Sequence, residues 1–118
     1  ISMIFWQEQM QMNKVFTENG WKDYIYWQTE DRKTLKKING LIEDICRNGN
    51  EGIGKPEPLT GNLSGFWSRR INDKDRLIYK IDESNVYILA CRYHYTKSRL
   101  MVSSRSERNF IANKEKNQ

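Results

Sequence analysis

One histidine occurs in the 118-residue chain, and it closes an apolar run in the order Arg92-Tyr93-His94-Tyr95. An unperturbed imidazole titrates at about 6.5, so it gives or takes a proton at neutral pH. The plain alternative is a ring packed in the core. Arginine presents a planar fork of donors that matches phosphate oxygens, and Arg76 opens a strand-like run. The chain holds fifteen carboxylates, so a base is harder to choose. Glu57 stands out because it lies in Lys55-Pro56-Glu57-Pro58. Each proline fixes its own φ and restricts the residue before it, so this loop is stiff. A base, a cation and an acid are what cleavage of an RNA phosphodiester requires, because RNA brings its own 2′-OH nucleophile. No metal and no cofactor is expected for that chemistry. From pattern alone three alternatives stay open. Glu57 is a base or an exposed loop carboxylate, Arg76 a phosphate clamp or a surface partner of Asp73 or Asp75, and His94 an acid or a packed ring.

The elements that must position these residues follow from periodicity. Met12–Phe16 reads as a short strand. Thr17 is a good helix N-cap, followed by an acidic Glu18. Trp21, Tyr24, Ile25 and Gln28 recur at helical spacing, which predicts an amphipathic helix to about Thr29. Thr29 then caps a second helix with Glu30 and Asp31 in its first turn. Its apolar stripe is Leu35, Ile38, Leu41, Ile42 and Ile45, and Asn48-Gly49 stops it. Residues 48–62 hold four glycines and two prolines and read as a loop. Strand-like runs follow at Phe66–Ile71, Arg76–Asp82 and Val86–Tyr93, separated by polar turns. This predicts an α+β fold, an antiparallel sheet packed on a two-helix hairpin. In that meander Arg76, Arg92 and His94 meet at one sheet edge, in a register that a one-residue slip would overturn. Trp21, Tyr24, Trp27, Trp67 and Phe66 are expected to pack in the core.

Composition narrows the class. The chain is soluble in balance, with 37% hydrophobic and 30% charged residues. Its length suits one domain. The net charge of +5 sits mostly in residues 96–118, which hold six Lys/Arg against two Asp/Glu. Residues 1–95 hold fourteen against thirteen, which disfavours a generic basic RNA-binding module. Cys46 and Cys91 match no metal or redox spacing and read as reduced, buried thiols. No apolar stretch approaches the ~20 residues of a membrane span, so the expected compartment is the cytoplasm. Three segments result: residues 1–11 as an extension, 12–95 as the domain, and 96–118 as a basic tail. Both ends are expected to be loosely ordered.

The run GKPEPLTGNLSGFWSRRINDKDRLIY followed by ACRYHY resembles the YoeB/Txe family of toxin–antitoxin mRNA interferases, within the RelE superfamily. WKDYIYWQTEDRKTLKKINGLIEDICR is similar to that family's helical hairpin. The resemblance implies a microbial-RNase-like, RelE-like α+β fold and ribosome-dependent cleavage of mRNA in the A site of the 70S ribosome. It also implies a YefM-type antitoxin partner, and it leaves a homodimer open. By the same resemblance Glu57 is the general base, Arg76 the transition-state stabiliser and His94 the general acid. Arg70 and Tyr95 become supporting RNA contacts, and Lys55 is a further candidate, a substitute for the cation missing at Thr60. One departure is Thr60, where family members often carry a basic residue. A catalytically weak homologue that binds ribosome or antitoxin without cutting is the competing expectation.

Overall fold

The computed structural model describes residues 12–93. His94, Tyr95 and the segments 1–11 and 96–118 therefore lie outside the described residues. The elements run β1 (Asn13–Phe16), α1 (Glu18–Glu30), α2 (Arg32–Asn48), β2 (Glu57–Pro58), a 3₁₀ turn (Gly61–Leu63), β3 (Trp67–Arg70), β4 (Arg76–Ile81) and β5 (Asn85–Ala90). The sheet order is β1-β5-β4-β3-β2. The expected α+β architecture holds, and so does the β3-β4-β5 meander. The sheet itself is mixed rather than antiparallel, because β1 pairs parallel to β5. A parallel neighbour needs a long crossover, and here the two helices, the loop and the meander lie between the two strands.

Thr17 caps α1 by accepting from the Gly20 amide at 3.0 Å. Its own hydroxyl donates to the Leu89 carbonyl at 3.0 Å, which docks the helix start on β5. The second cap is Asp31, not Thr29: its carboxylate accepts from the Lys33 and Thr34 amides. Asp31 also donates its own amide back to the Trp27 carbonyl, so one residue ends α1 and begins α2. The stripe Ile38, Leu41, Ile42 and Ile45 is buried as expected.

In α1 the buried face is Gly20, Asp23 and Trp27. Trp21 is 50% exposed and Ile25 40%, which corrects the expected core role of Trp21. Periodicity of apolar residues misleads here because the helix approaches β5 through a glycine and a hydrogen-bonding carboxylate. Trp21 instead stacks on Tyr24 and meets Phe16 edge-on, outside the core. Cys46 is only half-buried, whereas Cys91 is buried.

Two apolar clusters flank the sheet. The helix-facing core joins Trp27, Ile38, Leu41, Ile45, Leu77, Tyr79, Val86 and Ile88. The opposite face carries a smaller cluster of Phe66, Ile78, Leu89 and Ala90, covered in part by Leu59 and Leu63. The register explains the split. Ile78 pairs Ala90 while Tyr79 pairs Ile88, so Leu89 is the extra residue of a bulge in β5. The strand also ends short of the expected Tyr93. β5 stops at Ala90, and Tyr93 adopts a left-handed φ of 71°.

Candidate active site on the open face of the sheet

Strand alternation decides which side chains share the face away from the helices. Arg70 lies directly opposite Arg76, and Ser68 opposite Ile78. Glu57 lies opposite Ser68 across the β2–β3 pair. Ile78 and Ala90 belong to the open-face cluster, so Glu57, Ser68, Arg70 and Arg76 project to that face too. Glu57 sits two strands and one two-residue step from Arg76, about 12 Å between Cα atoms at ordinary strand spacings. Side chains reaching inward from that separation bracket a group the size of a phosphate.

The Pro-flanked segment makes Glu57 an exposed residue of a two-residue edge strand. The strand is stapled by the Leu59 amide to the Phe66 carbonyl at 2.9 Å. Lys55 before it takes φ 51°. Lys55 and Arg70 line one shallow cleft of about 320 Å³ with Lys37 and Asp73. Arg70 is ion-paired with Asp73 in the β3–β4 turn. Arg76 forms neither of the ion pairs held open by its sequence. Its Nη1 donates to the Asn72 carbonyl at 2.6 Å and the Asp75 carbonyl at 3.1 Å. Two arginines thus stand face to face across adjacent strands. Like charges directly opposite are destabilising; Asp73 offsets part of that repulsion through Arg70, and an anion bound between the two would offset more.

The chain leaving β5 is tied to this corner. The Arg76 amide donates to the Tyr93 carbonyl at 3.0 Å. The Tyr93 amide donates to the buried Asp75 carboxylate at 2.6 Å. One turn earlier, Asp23 accepts from the Cys91 amide at 3.0 Å and the Trp27 indole donates to the Cys91 carbonyl at 2.8 Å. The Arg92 guanidinium lies 3.4 Å from the Tyr26 ring centroid and 4.4 Å from that of Tyr93. Arg92 is therefore held on aromatic rings at the α1 side rather than beside Arg76 as expected. His94 is bonded to Tyr93 and lies outside the described residues, as does Tyr95.

Sequence reasoning passed over Arg69 and Asp23, and offered Asp75 only as a surface partner of Arg76, whereas its buried carboxylate accepts from the Tyr93 amide. For Arg69 a signal existed: it alternates with Arg70 and pairs with Leu77, a core residue. For the aspartates none did, since their role depends on tertiary placement. Among the described residues no group of three or more His, Cys, Asp or Glu is placed to hold a metal ion.

Residues 16–95 match the family described as YoeB-like toxin of bacterial type II toxin-antitoxin system. The chain belongs to that family. A Toxin YoeB of Streptomyces coelicolor is 54% identical over 84 residues, covering 71% of this chain and all of the relative. The YoeB dimer of Staphylococcus aureus is 49% identical with a TM-score of 0.69, covering 72% of this chain and 99% of that one. The YoeB in a YoeB-YefM complex from the same organism is 48% identical with a TM-score of 0.67, over the same shares of the two chains. The matched span takes in every described element except the first three residues of β1. Residues 1–15 and the basic tail, 96–118, fall outside the span that the family matches. No helix among the described residues is long and apolar enough to cross a membrane.

Proposed function

We propose that this YoeB-like toxin is a metal-independent endoribonuclease that cleaves mRNA in the A site of the 70S ribosome, in the cytoplasm, and so inhibits translation. The observation that carries the reading is the shared open face of Glu57, Arg70 and Arg76, with the chain running into His94 anchored against Arg76. The Glu57 carboxylate takes the proton from the 2′-OH, and O2′ attacks the adjacent phosphorus. Arg76 neutralises the charge that gathers on the phosphorane oxygens, where a charged donor acts most strongly. The P–O5′ bond breaks as His94 protonates O5′. The products are a 2′,3′-cyclic phosphate, or its opened 3′-phosphate, and a 5′-OH. Arg70 and Lys55 hold flanking phosphates, and Tyr95 stacks on a base.

Near-neutral charge over residues 1–95 suits an enzyme that borrows its substrate positioning. Phosphate contacts dominate affinity for free RNA, whereas the ribosome delivers the message already oriented, which supplies much of a rate enhancement. A YefM-type antitoxin is the proposed inhibitor, and a homodimer the proposed assembly; YoeB of S. aureus is known in both states. The domain proper is residues 12–95, with 1–11 and 96–118 as appendages.

The test is primer extension on a defined mRNA, with and without 70S ribosomes, comparing this chain with Glu57→Ala/His94→Ala. Ribosome-dependent cuts that disappear in the variant support the reading. Cuts on free mRNA at physiological salt overturn ribosome dependence. Absence of cuts with ribosome binding intact makes this chain the non-cleaving homologue, and directs attention to Thr60, an exposed residue whose side chain makes no capping bond to the 3₁₀ turn.

A further inference from the structure

Arg69 is the largest fully buried side chain among the described residues, at 0% exposure. A guanidinium has five N–H donors and no acceptor, and here all five are used. Nε donates to the Tyr79 hydroxyl at 3.3 Å. Nη1 donates to Asp44 Oδ2 at 2.5 Å and to the Ile53 carbonyl at 2.9 Å. Nη2 donates to the Gly49 carbonyl at 2.6 Å and the Glu51 carbonyl at 2.9 Å. Three of the five acceptors are backbone carbonyls spaced along one five-residue stretch, 49–53. Asp44 completes the cage, accepting from the Ile53 amide at 3.1 Å and from the Asn48 side chain at 2.8 Å.

The loop is shaped around this charge. Gly52 has φ 126°, and a Cβ there would lie 2.1 Å from Asp44 Oδ2 and 3.3 Å from Arg69 Nη1. Gly54 has φ 82°, and its Cβ would lie 2.8 Å from Leu41 and 3.3 Å from Arg69. The same loop leads directly into Glu57, and its last carbonyl, Gly54, accepts from the Arg70 amide at 2.7 Å. A buried charge is costly to desolvate, and packed apolar residues often replace such groups without loss of stability. Stability alone is therefore a poor account of an arginine at this position. What it supplies is a single path for the loop.

We infer that Arg69, clamped by Asp44, is a positioning residue that fixes the 49–54 loop and thereby places Glu57 relative to Arg70 and Arg76. The inference rests on the proposed endoribonuclease reading for its consequence, though not for its geometry. Neighbouring arginines divide the work through strand alternation: Arg69 points to the core and holds the loop, and Arg70 points to the open face.

The test uses the full chain and two conservative variants. Arg69→Lys keeps the charge and loses the fork; Asp44→Asn keeps the shape and loses the carboxylate. Amide hydrogen exchange reads the loop without reference to activity. The expected result is exchange at least ~10-fold faster at the Arg70 and Leu59 amides, the bonds on either side of Glu57, with the Thr17 and Cys91 amides unchanged. Unchanged exchange at Arg70 and Leu59, or equal acceleration everywhere, overturns the inference. If Arg69→Lys does not fold, Asp44→Asn carries the same comparison. A double-mutant cycle with Glu57→Ala reads the consequence. Arg69→Lys is expected to slow single-turnover cleavage ~10–100-fold alone and to add almost nothing in the Glu57→Ala background. A full multiplicative loss in that background shows that Arg69 does not act through Glu57. If Glu57→Ala itself cleaves normally, the base assignment falls, while the exchange data still decide whether Arg69 sets the loop.

Discussion

The same substitution should have opposite signs in the two helices. Gly20 and Gly40 both lie within helices, where alanine is favoured over glycine by roughly 0.5–1 kcal/mol. At Gly40 an added Cβ meets nothing within 4 Å, so Gly40→Ala should gain that amount in full. At Gly20 the Cβ would lie 2.4 Å from the Ile88 carbonyl oxygen and 3.1 Å from its carbon. Both atoms are β5 backbone, so no side-chain rotation relieves the contact. Thr17 also holds α1 to β5, and Asp23 holds it to Cys91 just after that strand, so the helix cannot tilt away without loosening those bonds. Overpacking costs about 1–3 kcal/mol, and a contact with backbone that no rotamer change relieves falls in the upper part of that range, about 2–3 kcal/mol, above the propensity gain. Gly20→Ala should lose about 1–2 kcal/mol net. For a domain of this size 1 kcal/mol moves Tm by roughly 4–8 °C, so Gly20→Ala should melt roughly 5–15 °C lower and Gly40→Ala a few degrees higher. Thermal melts followed by far-UV circular dichroism at one protein concentration decide it. A neutral or raised Tm for Gly20→Ala would refute the close docking of α1 on β5.

Other outcomes follow from the same geometry. Glu57→Gln and His94→Gln should each cut single-turnover cleavage on the ribosome by roughly 10²–10⁴-fold while antitoxin binding survives in pull-down; an unchanged rate removes that residue from its role. Asp75→Ala should leave the Tyr93 amide without its charged acceptor, destabilising the domain by about 1–3 kcal/mol in urea titration; a change within 0.5 kcal/mol would show that the bond is not formed in solution. Acid should weaken the fold in a defined direction. The Arg69 hydrogen bond holds the Asp44 carboxyl below its usual value, and for Asp82 hydrogen bonds from Tyr87, Ser84 and Asn85 outweigh the raising effect of burial. Groups depressed in the folded state stabilise above their unfolded pKa, and that stability is lost as pH falls through the folded value. Tm should therefore drop below about pH 4, with a shallower slope in Asp44→Asn; identical slopes would show that Asp44 is not held by Arg69. Removing residues 96–118 should leave ribosome-dependent cleavage within a few-fold, and loss of cleavage would make the tail part of the site.

Much of the scaffold was legible because it follows simple periods. The α2 stripe and the β3–β4–β5 meander came directly from spacings of 3.6 and 2. What failed has identifiable causes. The buried face of α1 is a glycine, an aspartate and a tryptophan, and no apolar periodicity marks a glycine that must pass a neighbouring carbonyl. Asp31 caps α2 because its carboxylate reaches two amides, which Thr29 inside α1 is not placed to do. The β1–β5 pairing is between segments about seventy residues apart, and nothing local encodes it. Past the end of β5 at Ala90 the chain departs from simple strand register, so the Tyr93 carbonyl meets the Arg76 amide while the Arg92 side chain lies on Tyr26. Arg70 and Arg76 fall on one face because residues at a hairpin-determined register alternate predictably, whereas Glu57 joins them through the β2–β3 pair, in a segment that reads as loop.

The adjacent arginines of β3 show how a short strand serves two ends. A strand buried on one face and open on the other assigns consecutive residues to opposite environments, so identical side chains acquire unrelated tasks. Arg69 is sealed in a cage of carbonyls and a carboxylate, where its charge has no access to solvent or RNA. Arg70 is partly exposed and shares its face with Arg76 and Glu57. Conformational order and substrate charge are thus handled by neighbours on one short strand. A lysine at position 69 still brings a charge but cannot bridge three carbonyls and a carboxylate at once. A lysine at position 70 still meets a phosphate as a point charge. Conservative exchange should therefore be more damaging at the buried position than at the exposed one, the reverse of the order expected if both arginines served only to bind RNA.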